Sequence, residues 1–210
     1  MLVLQAIAHL EKDPTMANLI AICPPLEFDV TPEDAYIYLL SSVVSQQVSA
    51  KVAAVIYARF LALFDDNFPE PSVLFAMDTM VLRGVGLSMQ KANYLKNIAE
   101  FALNTGINNE ELALQSNEEI IKNLTTIKGV GVWTVEMVLI FALKRTNVFS
   151  VGDLAVRQSA IHLYEVEETG KAQLAKLNEI SHQWQPYASF ACLYLWLYSD
   201  LGLKKTGSLA

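Results

Sequence analysis

The chain has 210 residues, is 53% hydrophobic and carries a formal net charge of −7. That size suits one compact domain or two closely packed subdomains with a large core. A membrane span needs about 20 mostly apolar residues; the apolar runs here are shorter and interrupted, so we expect no membrane partner. The first residues lack the basic start and cleavage site of a signal peptide. We therefore expect a cytoplasmic protein, nucleoid-associated in a prokaryote and nuclear in a eukaryote.

The first strong helix signal is Thr31-Pro32-Glu33-Asp34, with Thr31 as N-cap, proline at the first helical position and acids in the first turn. It predicts a helix over residues 35–47, and a second helix follows over residues 50–64. Gly84 and Gly86 predict the end of a helix, and Ser88 is predicted to cap the helix that follows.

Ser116-Asn117-Glu118-Glu119 has the capping-box pattern and predicts the start of a short helix. The helix after Gly131 is predicted to run to about Leu143, and another begins at Gly152-Asp153. The last apolar helix is predicted to end near Leu203. Because no stretch alternates with period two for long enough to form a sheet, the sequence predicts an all-α fold.

The two cysteines, Cys23 and Cys192, have no metal-ligand spacing, and the three histidines are scattered. We therefore expect no zinc or iron–sulfur centre and no disulfide framework. We also expect no organic or redox cofactor and no obligate protein partner.

The most informative segment is Ile127-Lys128-Gly129-Val130-Gly131-Val132-Trp133-Thr134, which is followed by a lone carboxylate, Asp153, 22 residues after Gly131. Glycine lets a backbone turn tightly and approach a ligand. The next helix offers unpaired N–H groups and the positive end of its dipole to an anion. The segment thus predicts a hairpin that binds a DNA phosphate, and Asp153 is the group placed to act on what the hairpin holds. The predicted phosphate-binding residues are Gly129, Gly131, Val132 and Thr134.

A weaker copy of this segment, Leu82-Arg83-Gly84-Val85-Gly86, occurs 45 residues earlier. Counting 22 residues on from Gly86 reaches Asn108, which is not an acid, so we assign chemistry to the second copy. Residues 122–160 hold five basic and two acidic side chains, a net charge of +3, which leaves −10 for the remainder. Such a basic island can bind a DNA backbone with salt-dependent affinity; chance clustering is the alternative.

Three further segments accompany the hairpin in order along the chain: Val44–Lys51 (VSQQVSAK), Leu82–Leu95 and Trp184-Gln185-Pro186-Tyr187. Together they make the chain resemble the helix-hairpin-helix (HhH-GPD) DNA glycosylases, specifically the DNA-3-methyladenine glycosylase II branch. The resemblance implies a two-lobed helical fold with a central cleft. One lobe comprises residues 31–145, with the hairpin at about 127–132. The other joins residues 1–30 to 146–210 and carries the catalytic aspartate.

The resemblance implies a monofunctional glycosylase of base excision repair that acts on double-stranded DNA. The enzyme flips out an alkylated purine, such as 3-methyladenine or 7-methylguanine, and hydrolyses its N-glycosidic bond. Asp153 matches the catalytic carboxylate, which stabilises the cationic sugar or helps water attack. Trp133, Met137 and Tyr187 match the base pocket, where electron-rich rings select cationic bases. Gln47 matches the wedge that fills the gap in the duplex.

Some positions depart from the family pattern. Bifunctional members place a Schiff-base lysine where this chain has Trp133, so we expect no strand-cutting lyase activity. Met137 stands where some relatives carry another aromatic ring, and Ala188 stands where an arginine is usual. Relatives can hold a monovalent cation on the hairpin carbonyls, which makes such an ion an option here. We assign no role to Tyr36 or Tyr38.

Simpler interpretations stand beside these roles. Asp153 is well placed as an ordinary N-cap, Trp133 and Tyr187 as core side chains, and Gln47 as helix surface. Two other functions stay open. A glycosylase for a neutral lesion (uracil, hypoxanthine or a mismatched base) depends on hydrogen bonds to the base edge. A non-catalytic helix-hairpin-helix DNA-binding module needs the glycines but neither Asp153 nor Trp133.

Overall fold

In a computed structural model, which describes residues 1–202, all regular structure of this range is helical. The predicted all-α fold is therefore confirmed. The helices in chain order are α1 (Leu2–Leu10), α2 (Pro14–Ile22), α3 (Ala35–Ser45), α4 (Ala50–Leu61), α5 (Pro71–Ala76), α6 (Thr79–Gly84), α7 (Met89–Asn104), α8 (Asn109–Ala113), α9 (Asn117–Leu124), α10 (Val132–Met137), α11 (Leu154–Leu163), α12 (Gly170–Ser181) and α13 (Ala188–Asp200). None of them is both long and apolar enough to cross a membrane.

The helices belong to two compact units. One unit combines Met1–Thr31 with the described residues from Lys144 onward and contains α1, α2 and α11 to α13. The other unit is Pro32–Leu143 and contains α3 to α10. The lobe boundaries given above and the cleft between the lobes stay predictions.

In the first unit α13 is the central helix, because α1, α2 and α11 all pack against it. Its sequence is apolar all round, and most of its side chains are buried, as expected of a helix that is surrounded by others. Trp184, just before α13, is fully buried, and its ring meets Phe149 edge-on with centroids 5.2 Å apart.

In the second unit α7 is central and packs against α3, α5 and α6. Its buried stripe, Ala92, Leu95, Ile98 and Ala99, has the three- and four-residue spacing of an amphipathic helix. After α10 the same rod continues through a π-helical turn, Val138–Ala142, in which the Leu143 N–H donates to the Val138 carbonyl at 2.9 Å. The predicted helix from Gly131 to about Leu143 is thus confirmed, with a π turn in its second half.

Two predicted caps are confirmed and one is wrong. The Ser88 hydroxyl accepts the Lys91 N–H, and Ser116 forms the full capping box that opens α9. Thr31, however, does not cap α3. Its own N–H donates to the Asp29 carboxylate at 2.8 Å, and the Asp34 carboxylate caps α3 by accepting the Ile37 N–H at 3.0 Å.

The first two predicted helices end earlier than expected. The helix predicted over 35–47 stops at Ser45 because Gln46 has an extended ψ of 130° and Gln47 a left-handed φ of +56°, and a helix continues through neither. The helix predicted over 50–64 stops at Leu61. The last helix ends at Asp200, and the end point predicted for it near Leu203 lies outside the described residues.

The weaker copy of the hairpin also forms a turn between two helices, α6 and α7. Gly86 in this turn has φ +109°, close to the +105° of Gly129 in the hairpin. The sequence pattern, however, pairs Gly86 with Gly131, which lies two residues after Gly129. The two turns therefore share a left-handed glycine before a helix, but at a spacing of 43 residues rather than 45.

Candidate active site

The hairpin joins α9 to α10 through a turn in which the Val130 N–H donates to the Ile127 carbonyl at 3.0 Å. Gly129 is required by both conformation and space. Its φ is +105°, and a Cβ atom there would lie 2.2 Å from Cγ of the Tyr94 ring. Gly131 is different: its backbone is extended (φ −98°, ψ 169°), and a Cβ would meet nothing within 4 Å. Only the first glycine is needed to form the turn.

Side chains from α3 and α7 hold the hairpin in place. Gln46 donates its amide N–H to the Gly129 carbonyl at 3.4 Å, and Asn97 donates to the Lys128 carbonyl at 3.0 Å. The Lys91 ammonium donates to the Val44 carbonyl near the end of α3 at 2.7 Å, where the negative end of the helix dipole favours a cation. Burial lowers the pKa of Lys91. Two of these residues, Gln46 and Lys91, belong to the segments that carry the family resemblance.

The first turn of α10 begins immediately after Gly131, which is its N-cap. Val132, its first residue, is half exposed, whereas Thr134 is buried. Since the first N–H groups of a helix point out of its N-terminus, the backbone there has the geometry of an anion site. Phosphate binding by Gly129, Gly131, Val132 and Thr134 stays a prediction.

Beside the hairpin lies a pocket of 480 Å³ within the second unit. One wall is a face of α3 with residues three and four apart, and the other is formed by Trp133 and Met137 of α10. Trp133 is 43% exposed, too much for a core tryptophan, whereas Met137 is 7% exposed. The residues that α3 and the turn after it contribute are Tyr38, Ser41, Ser42, Ser45, Gln46 and Gln47. Three predicted site residues, Gln47, Trp133 and Met137, therefore line one pocket.

Tyr38 is a pocket residue to which the sequence argument gave no role. Its ring lies nearly parallel to that of Phe141, with centroids 6.4 Å apart and planes at 15°. Burial, with a smaller contribution from the Glu33 carboxylate, raises the pKa of Tyr38 to about 12, so its hydroxyl stays protonated at neutral pH. The spacing of Tyr38, Ser41, Ser42 and Ser45 along one helix face was the signal that could have identified this wall.

Gln47 is exposed and directly follows the C-cap of α3. Its left-handed φ of +56° costs a residue other than glycine roughly 1 kcal/mol, and strain of this kind concentrates at functional sites. The wedge role stays a prediction.

Asp153 belongs to the first unit and is the N-cap of α11, where its Oδ1 accepts the Val156 N–H at 2.9 Å. The interpretation of Asp153 as an N-cap is therefore confirmed. The same Oδ1 also accepts the indole N–H of Trp196 at 3.1 Å. These two donors fix the orientation of the half-buried carboxylate. Trp196 was not found from the sequence, because nothing in the pattern links positions 43 residues apart.

Tyr187 also belongs to the first unit, where it precedes α13. Its ring meets His9 and Phe190 edge-on, with centroids 5.4 and 6.2 Å apart. It is half-buried, and both ring contacts are of the kind that a core side chain makes. Ala188, which stands in place of the usual arginine, is buried. The pocket role of Tyr187 stays a prediction.

The fold and the hairpin define an all-helical helix-hairpin-helix protein. Residues 40–183 match the HhH-GPD superfamily of base excision DNA repair proteins. The chain is 38% identical over 172 residues to DNA-3-methyladenine glycosylase 1 of Schizosaccharomyces pombe, covering 80% of this chain and 74% of that protein. It is 32% identical over 204 residues to DNA-3-methyladenine glycosylase of Saccharomyces cerevisiae, covering 85% of this chain and 68% of that protein.

Among solved structures, the chain resembles S. pombe 3-methyladenine DNA glycosylase (Mag1) in complex with abasic DNA. The TM-score is 0.81 at 33% identity, and the match covers 93% of this chain and 97% of that one. The chain belongs to the HhH-GPD superfamily of base excision DNA repair proteins.

Proposed function

We propose that this protein is a monofunctional DNA glycosylase that hydrolyses the N-glycosidic bond of alkylated purines, 3-methyladenine and 7-methylguanine, in double-stranded DNA. The activity agrees with the names of its relatives. The observation that carries the choice of substrate is the pocket that Trp133 and Tyr38 line, because none of the described residues around it is charged.

This lining suits a cationic base. Purines alkylated at N3 or N7 carry a positive charge, which is attracted to the faces of aromatic rings by about 0.5–2 kcal/mol. Met137 adds a polarizable wall. The hydroxyls of Ser41 and Ser45 donate to the carbonyls of Tyr38 and Ser41, at 2.8 and 2.9 Å, and keep oxygen lone pairs as acceptors. A pocket of rings and acceptors without a lysine or arginine favours a cation over a neutral base.

In the proposed reaction the damaged nucleotide is flipped out of the duplex, and Gln47 fills the gap. The bond between C1′ and the base nitrogen breaks, and the base leaves with the electron pair. The Asp153 carboxylate stabilises the positive charge that develops on the sugar. Water adds to C1′ and loses a proton, which leaves an abasic site. Because Trp133 has no amine, no imine forms at that position and the strand stays uncut.

The reaction as proposed needs no organic or redox cofactor. A monovalent cation on the hairpin carbonyls fits the donor set, because oxygen ligands suit hard cations. The carbonyls of Ile127, Lys128 and Gly129 each already accept one hydrogen bond, but a carbonyl oxygen has two lone pairs. Such an ion would hold the turn in shape and takes no part in bond breaking.

The test is release of bases, identified by mass, from methylated duplex DNA and from duplexes that contain hypoxanthine or uracil. We expect wild type to release 3-methyladenine and 7-methylguanine. Release of only the neutral bases would replace the proposal by the neutral-lesion glycosylase. DNA binding without release of any base would leave the non-catalytic module.

Tyr38 provides the test of the pocket. We expect Tyr38→Leu to lower kcat/KM for 7-methylguanine about tenfold, as cation–π energies of up to about 2 kcal/mol allow, and Tyr38→Phe to lower it far less. Tyr57→Leu is the matched control, because Tyr57 is a half-buried tyrosine of the same unit that stacks on Phe60 and does not line the pocket. Equal losses in the Tyr38→Leu and Tyr57→Leu proteins would remove Tyr38 from base selection.

Gly131 provides the test of the phosphate clamp. Aspartate is a favoured N-cap and Gly131 has room for a side chain, so Gly131→Asp keeps the fold while placing a carboxylate where the phosphate binds. We expect weaker binding to DNA of any sequence. The slope of the logarithm of the binding constant against the logarithm of the salt concentration should be smaller in magnitude by about one. Ser116→Asp, which changes another exposed N-cap in the same way, should leave affinity and slope unchanged. Equal behaviour of the two variants would refute the clamp.

A further inference from the structure

The second unit also contains a cavity that is larger than the pocket beside Trp133. It is a groove of 730 Å³ that follows one side of α7 from Met89 to Asn97. Phe75 of α5, Thr79 of α6 and Lys128 of the hairpin also line it. The volume is within the range of about 300–1,000 Å³ that small-molecule sites occupy. Nothing in the proposed reaction uses this groove.

The charge of the groove is opposite to that of the protein. Its charged lining residues are both cations, Lys96 and Lys128, in a chain with a net charge of −7. The Lys96 ammonium donates to the Met77 carbonyl at 2.8 Å and lies 6.0 Å from the centroid of the Phe75 ring. One of its three N–H donors is thereby used, and two remain for a ligand. Lys128 is exposed at the rim.

The uncharged lining combines amides with apolar surface. Asn97 and Gln90 use an amide N–H on the Lys128 carbonyl and on the Tyr94 hydroxyl, so their amide oxygens still have lone pairs to accept with. Asn93, one helical turn before Asn97, is exposed. Phe75 and Met89 are 42% and 46% exposed, which is high for such large apolar side chains.

These groups together match the parts of one nucleotide. Ammonium groups bind phosphate, side-chain amides bind base edges, and exposed rings support stacked bases. We propose that the groove is a second nucleic-acid subsite, which binds a nucleotide outside the damaged one. The strand itself is the favoured source of that nucleotide, since Lys128 is part of both the groove and the hairpin proposed to bind the backbone. A free nucleotide has the same chemistry and is distinguished by the experiment.

The experiment changes the charge in the middle of the groove in both directions. Asn93→Asp and Asn93→Lys are made at an exposed position of α7, so the fold tolerates both. Asn104→Asp and Asn104→Lys are the matched controls, because Asn104 is exposed on the same helix and does not line the groove. Fluorescence anisotropy at about 100 mM salt, where phosphate contacts are still strong, measures affinity for an undamaged duplex, with and without single-stranded extensions.

We expect Asn93→Asp to weaken DNA binding about fivefold and Asn93→Lys to strengthen it by a similar factor, as gain or loss of one phosphate contact implies. The Asn104 variants should change it less than about twofold. Deoxyadenosine monophosphate is titrated while the side-chain amide resonances of Asn93 and Asn97 are followed. If the nucleotide shifts these resonances but the Asn93 variants bind DNA with unchanged affinity, the free nucleotide is the ligand.

Two results would overturn the proposal. One is an equal effect of the same charge change at Asn93 and at Asn104, which would reflect only long-range charge. The other is no effect in either the DNA or the nucleotide experiment. Because undamaged DNA is used, neither result depends on whether the protein releases alkylated bases, so the groove and the proposed glycosylase activity can fail separately.

Discussion

Two aspartates of the first unit, Asp13 and Asp153, accept hydrogen bonds from the same two kinds of donor. Asp13 caps α2 by accepting the Thr15 N–H at 3.0 Å, and Asp153 caps α11 by accepting the Val156 N–H at 2.9 Å. Each also accepts a tryptophan indole N–H at 3.1 Å, from Trp184 and Trp196 respectively. An N-cap role and a tryptophan partner therefore do not distinguish a structural aspartate from the aspartate that we propose to be catalytic.

Their surroundings do distinguish them. Asp13 is 7% exposed and accepts a third hydrogen bond, from the hydroxyl of Tyr164. Asp153 is half-buried, follows the exposed Gly152 and precedes Leu154, which is 58% exposed. A buried carboxylate enclosed by donors stabilises the fold, whereas one that is oriented by donors and still reached from outside can act on a ligand. We infer that exposure, not capping, separates the two roles.

The largest expected effect is on base release. Asp153→Asn removes the charge that stabilises the cationic sugar and should lower release about 10³-fold or more. The amide oxygen of asparagine can still accept both N–H bonds, so fold and DNA binding should persist. Single-turnover release from methylated DNA, with thermal unfolding as the fold control, measures this. The Asp13→Asn protein should release bases at the wild-type rate at temperatures where it is folded. Near wild-type release by Asp153→Asn would exclude the carboxylate from the mechanism.

For stability the order of the two aspartates should be the opposite, so that Asp13→Asn destabilises the fold more than Asp153→Asn. Asp13→Asn replaces a buried carboxylate that accepts three donors by an amide with one oxygen. We expect the free energy of unfolding to fall by about 1–3 kcal/mol, and Asp153→Asn to lower it by less than about 0.5 kcal/mol. Urea denaturation of both variants makes the measurement. Equal losses would show that the difference in exposure has no energetic consequence.

A smaller effect is expected from the tryptophan that orients Asp153. Trp196→Phe keeps most of the ring but removes the indole N–H, so the carboxylate is less well held, and kcat should fall about tenfold with little change in KM. Trp196 is a positioning residue in this account. Its effect should therefore disappear in the Asp153→Asn background, where no catalytic charge remains to be positioned. A tenfold loss that persists there would indicate a general structural role.

The sequence predicts features that depend on neighbouring residues. The Ser116 capping box, the helix after Gly131 and the hairpin itself are set by residues within a few positions of one another, and the structure has them. Asp34 replaces Thr31 as the cap of α3 because the helix begins only at Ala35. The Glu33 N–H, which a Thr31 cap would accept, donates instead to the distant Ala142 carbonyl at 2.9 Å, a contact that the local pattern leaves open.

Features that depend on distant residues are not predicted. The pairs Trp196–Asp153 and Trp184–Asp13 join positions 43 and 171 residues apart, and they form only when helices pack. The spacing along α3 places Tyr38 on one face with Ser41 and Ser45, but that this face shares a pocket with Trp133 depends on how α3 meets α10.

The smallest expected effect concerns the pH dependence of the Asp13 cluster. Burial raises the pKa of Tyr164 in the folded state, and the hydrogen bond to Asp13 raises it further. In the unfolded chain a tyrosine titrates near pH 10. Above that pH the unfolded state loses a proton that the folded state retains, so the contribution of Tyr164 to stability is constant below about pH 9 and falls as pH rises further.

Tyr164→Phe removes this contribution, which is about 0.4 kcal/mol at pH 10 and grows above it. The free energy of unfolding of the variant should therefore decline less steeply between pH 9 and 11 than that of wild type, measured by urea denaturation at each pH. Other buried tyrosines titrate equally in both proteins and cancel in the difference. Trp196→Phe removes an indole donor to Asp153 that does not titrate, so it should leave the slope unchanged. Parallel curves for wild type and Tyr164→Phe would mean that Asp13 is less enclosed than its three donors indicate.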